Sequence, residues 1–277
     1  MSFDQPGPGG PPPHDPGPGA APVGVQAAPH APSPGQPVLP GRPVWTAPPQ
    51  PGPPQSFDVP LSPRGLATAL TALLSFRAVV DLASAAGGAY SYSVQQDLIA
   101  DPSSAPDDAI ASVDVLNALV DGVQLLCLIA IAVVFIIWFH RVRCNGEIFR
   151  PDAFTESRGW AVAGWFIPLA NLVLPYRTAK QIWWGSTQLG PDGAHRSIST
   201  APVTTWWLVF VASEVLTRID TWQYMRAESH EELANAFAFG TFADLVSIAA
   251  VVFAVIFVRK LTAMQNTMAA QGPYAAA

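Results

Sequence analysis

The sequence predicts an all-α integral membrane protein: four transmembrane helices and one Pro-kinked helical element, preceded by a disordered tail. Half of the 277 residues are hydrophobic and only 12% are charged, whereas a soluble domain usually carries about 25% charged residues. Twenty of the 29 prolines lie in residues 1–60, so the proline-rich and apolar parts of the chain are separate. With a net charge of −6, two cysteines and no basic run, the chain fits neither a soluble globule, a disulfide scaffold nor a nucleic-acid binder.

Residues 1–60 form a Pro/Gly-rich segment with only four charges. Proline fixes φ and removes N–H donors, and this composition offers little apolar surface from which to build a core. We therefore expect a disordered cytoplasmic tail with polyproline II character. Two interpretations remain open: a solvated spacer, or a docking ligand for a Pro-binding protein around residues 45–55. Residues 269–277 are expected to form a short disordered C-terminus.

Four apolar runs are candidates for spanning helices, because about 20 helical residues cover the hydrocarbon thickness of a bilayer. The runs are rich in alanine, valine and isoleucine on all sides, as lipid-exposed helices require. Within a membrane domain of residues 61–268, the predicted spans are residues 66–86, 120–139, 203–217 and 243–258. Ser229-His-Glu-Glu232 fits a capping box, so the last helix is expected to begin near His230.

The segment 159–184 is ambiguous, since it could cross the membrane or enter and return on one side. Pro168 and Pro175 each remove a helix donor and predict kinks. The seven-residue spacing is nearly two helical turns, which would place both prolines near one face together with Asn171. Irregular backbone at membrane depth needs protein or water around it. The candidate motif of this element is Trp165, Pro168, Asn171 and Pro175.

The distribution of basic residues favours one topology, because Lys and Arg concentrate on the cytoplasmic side. If segment 159–184 does not cross, ten of the Lys and Arg residues near the spans lie inside and two outside; if it crosses, the counts are seven and five. We therefore predict four spans, both termini cytoplasmic, and a re-entrant or interfacial element at 159–184, with five spans as the alternative. Residues 88–118, which lack Lys and Arg, would then form an external acidic loop.

Three stretches resemble a known family: WFHRVRCNGE at 138–147, RGWAVAGWFIPLANLVLP at 158–175 and FVRKLTAMQ at 257–265. They are similar to bacterial multi-pass membrane proteins grouped as domain of unknown function 4328, over about residues 65–265. Members commonly carry a Pro/Gly-rich N-terminal tail, as here. The resemblance implies a bacterial cell membrane location and carries over neither an activity nor a catalytic residue.

Ionisable residues inside spans are costly and are functional hypotheses by default. Arg77 and Asp81 are i,i+4 on the first span, and Glu214 and Arg218 are i,i+4 on the third, so each pair shares a helix face. The two pairs lie at similar depths with reversed order. This predicts a four-charge cluster with Arg77–Glu214 and Asp81–Arg218 contacts. It would be either a structural link that fixes helix pairing or a proton- or ion-linked site.

Signals of enzymatic activity are poor, since the sequence has no P-loop, dinucleotide fingerprint, HExxH or CxxC motif. His140 and Cys144 are i,i+4 but too few for a metal site, and neither a metal nor a cofactor is expected. Asp121 and Asp244 are interpreted as interfacial residues. We expect a non-enzymatic scaffold or sensor whose tail recruits partners; the alternative is a small transporter or channel subunit using the charge cluster. Expected partners are the lipid bilayer, a Pro-binding protein and further copies of the chain in a homo-oligomer, but not nucleic acid.

Overall fold

The computed structural model describes residues 59–103 and 107–271. The predicted disordered tail, apart from its last two residues, and residues 272–277 lie outside this part of the chain. Within the described residues the regular structure is helical, apart from one isolated antiparallel bridge between Leu189 and His195. The all-α class predicted from the sequence is therefore confirmed for the described residues.

Residues 59–103 and 107–271 contain four long α-helices and two short ones. In chain order they are α1 (Arg64–Ala100), α2 (Asp107–Phe149), α3 (Trp160–Ala163), α4 (Leu174–Gly185), α5 (Ala201–Arg226) and α6 (His230–Gln271). Three of them, α1, α2 from Ala111 onward and α6, are long and apolar enough to cross a membrane. The fourth long helix, α5, contains the remaining predicted span but carries Glu214, Arg218 and Asp220 in its second half.

The long helices extend well beyond the apolar runs that predict them. The predicted external loop at 88–118 is mostly helical, because α1 continues to Ala100 and α2 begins at Asp107. That prediction was wrong: Val94 and Leu98 of α1 pack against Val113 and Phe237, so these turns gain tertiary contacts that polarity alone does not reveal. Residues 269–271, predicted as disordered, belong to α6.

The predicted start of α6 is confirmed. The helix begins at His230, and the Ser229 hydroxyl accepts a hydrogen bond from the backbone N–H of Glu232 at 3.2 Å. The Glu232 carboxylate reaches back to the N–H of Glu228 at 2.7 Å. These bonds satisfy N–H groups that lack intrahelical partners in the first turn.

The main hydrophobic core lies at one end of the bundle, which we call the Trp end. Trp206 stacks on Phe257 with ring centroids 4.3 Å apart and an interplanar angle of 8°, and Trp138 meets the same phenylalanine edge-on. Both arrangements are common for aromatic pairs in cores. The buried aromatic residues of this core are Trp138, Phe139, Trp183, Trp206, Trp207 and Phe257.

The residues of the Trp end give the direction of each long helix. The N-terminal parts of α1 and α5 contribute Leu70 and Val203, whereas the C-terminal parts of α2 and α6 contribute Val142 and Leu261. Helices α1 and α5 therefore run away from the Trp end, and α2 and α6 run towards it. Helix α6 packs along both α1 and α5, and α2 packs along α1.

The segment predicted as kinked folds as a turn between two short helices. A Cβ placed on Gly164 would be 3.1 Å from the Cβ of Leu174, so the chain reverses direction between α3 and α4. Pro175 lies in the first turn of α4, where proline removes no intrahelical hydrogen bond. The prediction that two prolines kink one continuous helix, on a shared face, was wrong because the helix ends after Ala163 instead.

The tip of this turn is strained and apolar. Leu169 has φ 64° and ψ −41°, and the N–H of Ala170 donates to the carbonyl of Pro168 at 2.8 Å. This is a γ-turn with positive φ, a rare conformation for an L-residue. The exposed apolar side chains around the tip are Phe166, Ile167, Leu169, Leu172 and Val173.

Candidate functional site: polar clusters inside the helical bundle

Arg77 and Asp81 form an ion pair within α1. The Arg77 Nε donates to Asp81 Oδ1 at 2.5 Å; the Asp81 side chain is fully buried and the Arg77 side chain is 20% exposed. An unpaired charge in such surroundings costs several kcal/mol. The i,i+4 spacing therefore provides each residue with the partner it needs.

Two neighbouring helices complete the hydrogen bonding of this pair. Gln124 of α2 donates from its amide to Asp81 Oδ1 at 3.1 Å, and its backbone carbonyl accepts from Arg77 at 3.2 Å. Ser247 of α6 donates to Asp81 Oδ2 at 2.8 Å. A single buried aspartate thus joins α1, α2 and α6. We call Arg77, Asp81, Gln124 and Ser247 the Asp81 cluster.

Further carboxylates lie beside the Asp81 cluster. Asp244 of α6 is within electrostatic range of Asp81 and Arg77, and the Ser84 hydroxyl is within hydrogen-bonding reach of it. Asp220 of α5 is within electrostatic range of Asp244. The bundle thus gathers more acidic than basic groups around one arginine.

The sequence predicts interfacial positions for Asp121 and Asp244 and indicates no particular role for Asp220. Asp220 packs on the α6 backbone at Gly240, where a Cβ would be 2.8 Å from its Oδ1, and interacts electrostatically with Asp121 of α2. The signal was present in the short 227–229 connection. Counting outward along α5 and α6 from that connection places Asp220 opposite Ala236, one helical turn from Gly240.

The structure does not bring Arg77 and Asp81 together with Glu214 and Arg218. Among the described residues no ion pair joins α1 to α5, and the side chains of Glu214 and Arg218 are exposed on the outward face of α5. The physical reason is helix order: α6 packs along both α1 and α5 and separates them. Because α1 and α5 are not neighbours, the predicted Arg77–Glu214 and Asp81–Arg218 contacts do not form.

A second polar cluster lies at the Trp end and involves Leu61, three residues before the start of α1. The Asn145 amide donates from Nδ2 to the carbonyl of Leu61 at 2.8 Å and accepts from the N–H of Leu61 at 3.0 Å. Asn145 is 3% exposed. One side chain of α2 therefore holds both backbone polar groups of the first residue after the Pro/Gly-rich segment 1–60.

Gln265 of α6 extends this cluster to two more elements. Its amide nitrogen donates to the carbonyl of Val142 at 2.8 Å and to the Ser186 hydroxyl at 3.1 Å, while its Oε1 accepts from Asn145 Nδ2 at 3.1 Å. Gln265 is 1% exposed, so these bonds replace water. We call Leu61, Asn145, Gln265 and Ser186 the Asn145 cluster.

Arg143 anchors the connection that follows α2. It is 2% exposed, donates to the Glu147 carboxylate at 2.8 Å and to the carbonyl of Glu156 at 2.6 Å, and its guanidinium lies 3.8 Å from the centre of the Phe154 ring. Arg158 donates to the same Glu147 carboxylate at 2.9 Å. Arg143 and Arg158 thus hold the connection after α2 through Glu147 and the backbone of Glu156.

Glu156 is held in its charged form in this connection. Burial raises the pKa of Glu156, but the neighbouring polar side chains of Thr155 and Gln181 and the charge of Arg177 outweigh it and lower the pKa below its usual value. Arg177 Nη2 donates to Glu156 Oε1 at 3.2 Å. The ion pair links the segment after α2 to α4.

The four residues of the predicted kinked motif have separate roles. Trp165 enters the aromatic core, with its ring centroid 5.2 Å from that of Phe135 in an edge contact. Asn171 lies in the 3-10 turn with its N–H bonded to the carbonyl of Ile167 at 2.9 Å. Pro175 is buried and Pro168 is exposed. The four side chains therefore point to different parts of the turn and do not meet at one place.

The described residues offer hydrogen bonds and charge rather than a metal site. Among them no group of three or more His, Cys, Asp and Glu side chains is placed to hold a metal ion. Cys127 and Cys144 are not joined by a disulfide, and the Cys144 sulfur lies 3.8 Å from both ring nitrogens of His140. The Asp81 cluster links α1, α2 and α6, and the Asn145 cluster links α2 and α6 to Leu61, before α1.

These features define a class: a helical bundle with three helices suited to a membrane and polar groups paired between helices. The chain belongs to the family described as Domain of unknown function (DUF4328), whose model matches residues 101–263. The family expected from the motifs is thus confirmed, over a shorter range than expected, since α1 precedes the match. Comparison with curated proteins and with solved structures gives no match.

Proposed function

We propose that this chain is a non-enzymatic scaffold or sensor of the bacterial cell membrane, which ties the base of a partner-recruiting tail to the inner end of its helical bundle. The observation that carries the proposal is the Asn145 cluster. Asn145 of α2 holds Leu61 and is bonded to Gln265 of α6. A displacement of α2 against α6 would therefore move the point at which the tail emerges.

Helix order supports α5 as a fourth span. Helices α2 and α6 both run towards the Trp end, so the chain must return to the opposite end between them. Helix α5 makes this return, and its 26 residues give a length of about 39 Å. Its charges lower its apolar character, but they do not change the direction in which it runs.

The turn between α3 and α4 supports a re-entrant or interfacial element. The chain reverses between Gly164 and Leu174, and the tip exposes Phe166 and Leu169, which are 69% and 81% exposed. Apolar side chains exposed to this extent are typical of a surface that inserts into lipid. Helix α4 places Lys180 over the Trp184 ring at 5.2 Å, a pairing suited to the headgroup region.

The Trp end is the cytoplasmic end in this proposal. The ten basic residues counted as inside belong to elements that meet there, whereas Arg218 and Arg226 lie in the second half of α5. Both termini would then be cytoplasmic.

Labelling of single cysteines by a membrane-impermeant reagent tests this topology in intact cells. With Cys127 and Cys144 replaced by alanine, a cysteine at Glu228 should be labelled from outside and a cysteine at Gln188 only after lysis. External labelling at Gln188 would contradict the re-entrant arrangement. Protection of Glu228→Cys in intact cells, with labelling after lysis, would contradict the crossing by α5.

The tail function is tested by placing a photo-crosslinking residue at Trp45 in the full chain. We expect a discrete adduct with one partner in membranes, lost when Pro48 and Pro49 are changed to alanine. If the protein is a sensor, Asn145→Ala should alter the adduct yield, because it frees the base of the tail; a scaffold should retain it. Crosslinks to nothing but lipid would contradict partner recruitment.

A second candidate function is a small proton-linked transporter or channel subunit. The observation that favours it is the fully buried Asp81, with Asp244 and Asp220 close by and only Arg77 to balance them. Membrane-embedded carboxylates of this kind are typical of ion and proton pathways.

Proton flux into proteoliposomes separates the two functions. A transporter should show flux that is lost in Asp81→Asn and Asp244→Asn and kept in Glu231→Gln, a control at an exposed carboxylate near the start of α6. Absence of flux in the wild type and in all three variants would leave the scaffold or sensor as the supported function.

A further inference from the structure

We propose that a second copy of this chain covers the outward face of α5, with ion pairs between Glu214 of each copy and Arg218 of the other. The inference rests on the proposed crossing of the membrane by α5. We call this surface the α5 face. Its exposed residues are Leu208, Ala212, Glu214, Val215, Arg218, Ile219 and Trp222.

Two charges on an apolar helix surface need a partner that lipid tails do not provide. Val215 and Trp222, which flank them, are 49% and 57% exposed, so the surroundings of Glu214 and Arg218 in a membrane would be acyl chains. Burying a charge in hydrocarbon without a counter-charge is costly. Arg218 lies one turn from Glu214 on the same helix, but no ion pair joins the two in the part of the chain that the structure describes, and α6 separates both from the Asp81 cluster.

Depth excludes an escape of Glu214 to water. Glu214 lies 13 residues after the start of α5 and 12 before its end, about 18 Å from either terminus at roughly 1.5 Å per residue. A glutamate side chain is too short to span that distance, although the longer Arg218 lies closer to the end of the helix. A counter-charge for Glu214 therefore has to lie near this depth.

A second copy supplies that charge by symmetry. Two copies inserted with the same topology are related by a two-fold axis along the membrane normal, so their α5 helices run parallel and the same residues meet at the same level. Glu214 of each copy then lies one turn from Arg218 of the other. The α5 face carries one negative and one positive charge and is therefore complementary to itself.

The shape of the α5 face fits the packing of a helix against it. Two shallow grooves follow it, one beside Val211, Ala212 and Val215, and the other beside Arg218 and Ile219. Small side chains such as Ala212 allow membrane helices to approach closely. Ser213, by contrast, is 6% exposed and points into the bundle.

Charge reversal of the full chain in lipid nanodiscs tests the proposal. Wild type should have the mass of a dimer, whereas Glu214→Arg alone and Arg218→Glu alone should be mostly monomeric, because each brings four like charges together. Co-expression of the two variants under different tags should restore association between them by at least tenfold over either variant with itself. A monomeric wild type, or variants that associate no better together than alone, would overturn the proposal.

Cysteine crosslinking identifies the surface and separates this inference from the topology. In the background without Cys127 and Cys144, Val215→Cys should form a disulfide-linked dimer and Ser213→Cys, the buried control, should not. Efficient crosslinking at Ser213 with none at Val215 would overturn the α5 face as the interface. If Glu228→Cys is labelled from outside while wild type stays monomeric, the crossing by α5 stands and the dimer alone fails.

Discussion

Gln265 shows what one buried polar residue contributes to this bundle. Its side chain donates to Val142 and Ser186 and accepts from Asn145. The sequence marked Gln265 merely as the end of a motif that resembles a family. Its role could not be deduced from sequence, because its partners are 79 or more residues away and no local pattern specifies them.

Gln265→Leu should destabilise the bundle by about 2–4 kcal/mol, because each buried group left without a partner costs about 1–3 kcal/mol. The exposed Gln271 of the same helix provides the control, and Gln271→Leu should change stability by less than about 0.5 kcal/mol. Unfolding in a detergent titration measures both. Equal stability of the two variants would contradict the network.

For the charged residues, too, the sequence indicated contacts within one helix but not contacts between helices. The spacing of Arg77 and Asp81 was enough to expect them on one helix face, and they do lie together. A contact between this pair and Glu214 could not be predicted reliably, because two i,i+4 spacings do not show which helices are neighbours. Asp220 was missed because its importance depends on Gly240 in another helix.

At the scale of elements, the connection after α2 depends on close approach of backbone and ring. Phe154 lies between two glycines: a Cβ on Gly146 of α2 would be 2.8 Å from the ring and one on Gly185 of α4 would be 2.9 Å from it. The sequence shows both glycines but does not indicate that the Phe154 ring packs between them. Such glycines inside helices are costly in propensity, and here the packing offsets that cost.

Gly146→Ala should destabilise the bundle by about 1–3 kcal/mol, since the new methyl group forces Phe154 and Arg143 out of place. Gly122 is the matched control on the same helix, because a Cβ there meets no atom within 4 Å. Gly122→Ala should be neutral or stabilising by up to about 1 kcal/mol. Thermal unfolding of both variants measures the difference, and a stabilised Gly146→Ala would contradict the role of Phe154.

The link between the same connection and α4 should depend on pH. Because the pKa of Glu156 is lowered from its usual value of 4.5 in the folded protein, its stabilising contribution is complete above that value and is lost as the pH falls through it and below. Proteolysis within residues 150–159 should therefore accelerate below about pH 4.5. Glu156→Gln should remove this acid-induced step, and an unchanged step would assign it to another group.

The whole molecule could be predicted from sequence only in outline. Hydropathy identified four runs that became four long helices, because helices in lipid need apolar surface whatever their neighbours are. It did not indicate where those helices end, since α1 and α2 continue through polar stretches in which Val94, Leu98 and Val113 pack against Phe237 of α6. The structure of segment 159–184 could not be predicted, because it depends on whether the chain reverses there, and that is decided by tertiary contacts.

Truncation tests how the tail is joined to the bundle. Residues Ser56–Ala277 form a compact unit of their own, so a chain lacking residues 1–58 should keep the thermal stability of the full chain within about 1 °C. Removal of residues 1–62 takes away Leu61 and leaves the amide of the buried Asn145 without two of its partners, which should cost about 1–3 kcal/mol. Residues 59–62 would then account for nearly the whole loss of stability that follows deletion of residues 1–62. A loss of stability already complete in the shorter truncation would place the attachment of the tail elsewhere and remove the support that the Asn145 cluster gives to a sensor.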